Sequence, residues 1–90
     1  MPADTFMKIT NTVQDMVRGG AQPTHLLAHP DDFDATWGGS LLAVTTSTGV
    51  VELSVRVSAA FPSGRIHIVP SFGDAGTYWF STTGGANGHS

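Results

Sequence analysis

The sequence predicts an α+β domain: a mixed or mostly antiparallel sheet of four to five strands with one leading helix and one short helix. Three observations predict it. Phe6, Ile9, Val13, Met16 and Val17 recur at three- and four-residue steps, the mark of an amphipathic helix. Further on the period becomes two: Val51, Leu53, Val55 and Val57 alternate with Glu52, Ser54, Arg56 and Ser58, as in a half-buried strand. The chain has 90 residues, one small domain at most, and a leading helix followed by a run of strands is an α+β arrangement.

The first helix is expected over residues 4–18, with Asp4 as N-cap accepting from free backbone N–H groups. Lys8, Asn11, Gln14 and Asp15 lie mostly off its apolar stripe. Gly19-Gly20 ends it, because glycine accepts the left-handed conformation needed past a helix C-terminus. Pro23 opens an extended segment over 24–28. His29-Pro30 starts a short turn or helix, with Pro30 at the first helical position and Asp31, Asp32 and Asp34 in the first turn, at the positive end of the dipole. Phe33 and Trp37, four apart, face the core together, and Gly38-Gly39 ends the element.

Strands are expected over 41–46 and 50–57, joined by a hairpin loop at Ser47-Thr48-Gly49. Pro62-Ser63-Gly64 is a turn. A strand follows over 65–69, with Ile66 and Ile68 alternating with Arg65 and His67. A turn over 73–76 leads to a last strand over 77–82 carrying Tyr78, Trp79 and Phe80. Residues 84–90 read as a flexible Gly-rich tail with nothing to bury, so the expected domain covers 1–83. The predicted core joins Val55, Val57, Ile66 and Ile68 to the helix stripe.

Composition narrows the function. Charged residues are only 12% of the chain, so much of the surface is neutral and poorly protected against association. The net charge is −3, with Lys8, Arg18, Arg56 and Arg65 scattered along the chain, so no direct nucleic-acid binding is expected. The sequence has no cysteine, hence neither a disulfide nor a thiolate metal site. No apolar run approaches the ~20 residues of a membrane span, and no signal peptide is visible.

Two blocks carry a resemblance. One is the leading helix, then Pro23-Thr24-His25-Leu26-Leu27, then His29-Pro30-Asp31-Asp32-Phe33. The other is Val55-Arg56-Val57-Ser58, Phe61-Pro62-Ser63-Gly64, Ile66-His67-Ile68-Val69, Phe72-Gly73-Asp74-Ala75 and Tyr78-Trp79. In this order they resemble the axial domain of tailed-bacteriophage major capsid proteins, whose fold is shared with encapsulin shells. The resemblance spans about residues 5 to 84. Capsid proteins of this class are several times longer, and their N-terminal arm, extended loop and spine helix have no counterpart here.

The resemblance implies a structural protein of the virion, not an enzyme, with no cofactor and with copies of itself as partner. It implies a concentration-dependent oligomer of cyclic form. Its contacts are expected near residues 38–49 and the turn around Pro62.

A second motif competes. Ala28-His29-Pro30-Asp31-Asp32 followed by Gly38-Gly39-Ser40-Leu41 is similar to the metal motif of LmbE/PIG-L-type N-acetylglucosamine deacetylases. That resemblance implies His29 and Asp32 as zinc ligands and Asp31 as the general base activating a metal-bound water. Against it, a catalytic zinc needs a third protein ligand, and only His67 and His89 follow. That fold also needs roughly twice this length to close a parallel sheet with helices on both faces. The plainer reading is that these aspartates decorate a helix N-terminus. His25 and His29 would share a face only on a helix, and the stretch reads as a strand. Capsid-type self-association is therefore the expected function, with no catalytic, cofactor or metal residue.

Overall fold

The computed structural model describes residues 3–71 and 76–89. Helix α1 (Ala3–Arg18) is followed by β1 (His25–Ala28), a 3-10 turn (Ala35–Trp37), β2 (Leu41–Thr46), β3 (Gly49–Val57), β4 (Arg65–Val69), β5 (Tyr78–Ser81) and β6 (Asn87–His89). The strands form one mixed sheet in the order β2-β3-β1-β4-β5-β6. β1 and β3 run parallel and the other neighbours antiparallel. The α+β class is as expected, with six strands instead of four or five.

The stripe on α1 is the reason the helix docks. Ile9, Val13 and Met16 are completely covered, while Phe6 and Val17 pack half-buried beside them. The helix stops at Gly20, whose φ of 86° is one that side-chain-bearing residues avoid. There Gly20 N–H donates to the Val17 carbonyl at 3.0 Å and Ala21 N–H to the Met16 carbonyl at 2.9 Å. These two bonds satisfy carbonyls that a helix C-terminus otherwise leaves open.

Residues paired across a sheet share a face, so the registers map the layer beneath the helix. Leu42 pairs with Leu53, Val55 with Leu26, Leu26 with Ile68 and Ile66 with Phe80. All seven are buried. Each such side chain stabilises the fold by roughly 1.5–3 kcal/mol relative to exposure. Val57, expected in the core, is half-buried at its margin. Phe33 closes one end, its ring 6.4 Å from Phe6 and 6.1 Å from Trp37, both edge-on.

Two expectations are revised. Residues 84–90, read as a tail with nothing to bury, contribute β6. Trp79 pairs with Gly88, and Tyr78 stacks on His89 with ring centroids 3.9 Å apart. Aromatic contacts thus hold a strand that hydrophobic alternation does not announce. Pro30 likewise does not begin a helix. The His29 carbonyl accepts from the N–H groups of Asp32 (2.9 Å) and Phe33 (3.2 Å), making a single turn. Asp34 then caps the separate 3-10 turn by accepting from the Thr36 N–H at 2.9 Å. A short acidic side chain that bonds the local backbone competes with helix continuation. Most of the expected turn over 73–76 lies outside the described residues.

Candidate functional site

The motif-bearing turn follows the C-terminal end of β1, next to the parallel strand β3. Its side chains are engaged with the fold. Asp32 reaches across the domain: Oδ2 accepts from the Gly64 N–H at 2.8 Å and Oδ1 from the Thr82 hydroxyl at 2.9 Å. It ties the β1 turn to the β3–β4 turn and to the chain leaving β5. His29 Nδ1 accepts from the Asp31 N–H at 3.0 Å. With Nδ1 acting as acceptor, the Asp31 carboxylate 3.5 Å away is a neighbour and not an ion-pair partner. Asp31 is exposed, and so is Asp34, whose carboxyl is held below its ordinary range by hydrogen bonds from the Thr36 backbone and hydroxyl.

The two later histidines do not converge on this turn. His67 stands on β4 between Leu27 and Trp79, on the face turned away from α1. Burial, and secondarily Arg65, push its imidazole below the usual histidine range. His89 lies on β6 against Tyr78. Among the described residues no group of three or more His, Asp or Glu side chains is placed to hold a metal ion. His25, on β1, has its Nδ1 2.8 Å from the Thr24 hydroxyl.

The other candidate is a surface for association, and the sheet edges define it. In an antiparallel ladder, successive residues of a strand direct their backbone N–H and C=O groups to opposite sides. Val55 N–H donates to the Ser40 carbonyl on the β2 side, whereas Ser54 N–H donates to the Thr24 carbonyl on the β1 side. That parity, carried through the β2–β3 register, places Leu42, Val44 and Thr46 in bonds to β3. It turns the backbone groups of Leu41, Ala43 and Thr45 outward, where β2 has no neighbour. The strand Leu-Leu-Ala-Val-Thr-Thr carries neither charge nor proline. Leu41 is 59% exposed and Val50, which pairs with Thr45, is 64% exposed. The predicted contact region 38–49 therefore contains a complete open edge. The Pro62 turn follows the C-terminal end of β3, away from the hairpin at 47–49, and is bound through Gly64 to Asp32.

Sequence reasoning missed a cluster on the face away from the helix. The Arg65 guanidinium lies 4.0 Å from the Trp79 ring centre, and a Cβ placed on Gly88 would stand 2.6 Å from that indole. Trp79 is thus packed between a cation and a bare glycine backbone. The signal available was a tryptophan strand followed, after a turn, by a glycine able to lie under the ring.

Among the described residues no helix is long and apolar enough to cross a membrane. Comparison of the chain with protein-family models, with curated proteins and with solved structures finds no match.

Proposed function

We propose that this chain is a structural domain of the capsid type, whose work is self-association in the shell of a virion. The observation that carries the reading is the mixed sheet crossed by α1, the layout that the resemblance to capsid axial domains implies. It is supported by an edge strand without guarding charges, since such edges pair readily with other chains. It is supported too by Asp32, whose two carboxylate oxygens are occupied in holding the fold together.

Sedimentation at several protein concentrations tests the proposal. The expected result is a concentration-dependent oligomer that added salt weakens little, because screening acts on charges and the contact is neutral. A clean monomer up to millimolar concentration overturns self-association by this chain.

One observation favours the deacetylase-type reading: His29 and Asp32 follow a strand that runs parallel to its neighbour β3. Metal analysis after dialysis against trace zinc separates the two readings. Stoichiometric zinc, lost on His29→Ala, replaces the structural reading with the metal one.

A further inference from the structure

We infer that β2 is a self-pairing edge, through which two copies join antiparallel about a two-fold axis at Ala43 into one continuous sheet. This deepens the self-association proposed above and rests on it.

The occupant is dictated by the hydrogen-bond pattern. Leu41, Ala43 and Thr45 turn their N–H and C=O groups outward, and an edge of this kind is completed only by another extended strand. A two-fold axis normal to the sheet at Ala43 sets Leu41 opposite the second copy's Thr45, Ala43 opposite its own equivalent, and Thr45 opposite Leu41. In that register each outward residue meets an outward residue, so every open group on one strand faces a complementary group on the other. Leu42 and Val44, buried beneath α1, then stand opposite each other across the junction, and the apolar layer continues from one copy into the next.

The side chains agree with the backbone. No charged residue occurs on β2, and the charge nearest the axis, Glu52, stands one strand back beside Ala43, so no like charges meet directly across the junction. The exposed large hydrophobics among the described residues are Met7, Leu41 and Val50, and the last two lie on the same face of this edge. Pairing brings each Leu41 beside the other copy's Thr45, with Val50 next in the row. The opposite edge is a poorer partner. The Ser81 N–H bonds the Ala86 carbonyl, so Gly88 faces β5 and only Asn87 and His89 of the three-residue β6 direct backbone groups outward. A head-to-tail contact would join three open residues to two, whereas the β2 edge matches itself. An interface using the same patch on both copies closes as a dimer, a narrower outcome than the cyclic ring expected from the sequence.

Sedimentation of the wild-type chain beside Ala43→Pro and Ala43→Glu, each checked for its native circular-dichroism spectrum, tests this. Position 43 bonds nothing within its own sheet, so proline removes only the two symmetry-related bonds across the axis. The expected result is a dimer whose dissociation constant rises about ten- to a hundredfold in Ala43→Pro. Ala43→Glu, which sets two carboxylates face to face with Glu52 of each copy next in the row, should weaken the dimer as well and should regain affinity with added salt. If the wild type associates and both variants associate equally well, the β2 contact is overturned while self-association stands. If the wild type is monomeric up to millimolar concentration, both fall. Should proline disturb the spectrum, the Ala43→Glu variant alone decides.

Discussion

The two edges of this sheet are built by different means. At one, β2 is a six-residue strand placed by alternation: Leu42, Val44 and Thr46 face inward and Leu41, Ala43 and Thr45 outward. At the other, β6 has three residues and buries none of them fully. It is held by side chains folded over it. Trp79 lies against Gly88 beneath Arg65, and Tyr78 lies on His89. Lys8, from α1, donates to the carbonyls of Ser81 and Gly84 at 3.1 and 3.0 Å, fastening the chain between β5 and β6. Burial secures the first edge, whereas aromatic stacking and a single lysine secure the second. The first leaves its outer backbone unguarded.

The substitution with the largest expected effect removes what the edges share. Ile68, on β4, is completely covered and pairs with Leu26 and Tyr78. Ile68→Ala should cost about 2–5 kcal/mol, a large part of a small domain's stability. Both edges should melt together, seen as one transition by far-ultraviolet dichroism and by tryptophan fluorescence. A variant melting at the wild-type temperature would remove Ile68 from the core.

Gly88→Ala separates the edges. Its Cβ would stand 2.6–2.7 Å from three indole atoms of Trp79, so the ring or the strand must move. Overpacking of this kind costs about 1–3 kcal/mol. Hydrogen exchange should accelerate at 86–89 and remain slow in β2 and β3. Equal acceleration in both halves would show that the edges are not independently secured.

Asp32→Ala tests the tie at the motif turn. The Gly64 N–H loses its acceptor; leaving a buried donor unpaired costs about 1–3 kcal/mol, and this half-buried site favours the lower end. The expected signature is a looser β3–β4 turn with α1 still docked. No loss of stability would deny the structural role given to Asp32.

Legibility from sequence follows the same division. Helix α1, β2, β3 and β4 are legible to within a residue or two, because burial on one side imprints a period of 3.6 or 2. The core stripe Ile9, Val13 and Met16 and the pair Ile66 and Ile68 follow from that period alone. Asn87-Gly88-His89 has no such imprint. Its stability comes from Trp79 and Tyr78 one strand away, and that pairing depends on a turn whose length the pattern does not reveal. Asp32 illustrates the same limit at the candidate site. Spacing marks it as a helix-start residue or a metal ligand, yet its partners are Gly64 and Thr82, 32 and 50 positions further on. The outward parity of Leu41, Ala43 and Thr45 became readable only once the Val55 and Ser54 hydrogen bonds fixed which residues bond to which side.

The smallest expected effect is a pH dependence of stability that originates in the half of the sheet carrying β5 and β6. His67 sits in β4 with Leu27 on one side and Trp79 on the other, and Arg65 precedes it on the same face. Burial first, and the guanidinium second, disfavour its charged form, so its folded value lies below that of the unfolded chain. Above the unfolded value, near ~6.5, the ring is neutral in both states and contributes no pH dependence. As pH falls through that value the unfolded chain takes up the proton first, and stability declines until the folded value is also passed. Melting followed from pH 8 down to pH 5 should therefore show a downward slope in the wild type that is reduced in His67→Gln. Because Trp79 is the direct neighbour, its fluorescence should report the change while β2 remains protected from exchange. An identical slope in both proteins would place the titration elsewhere and would dissociate His67 from the stability of that edge.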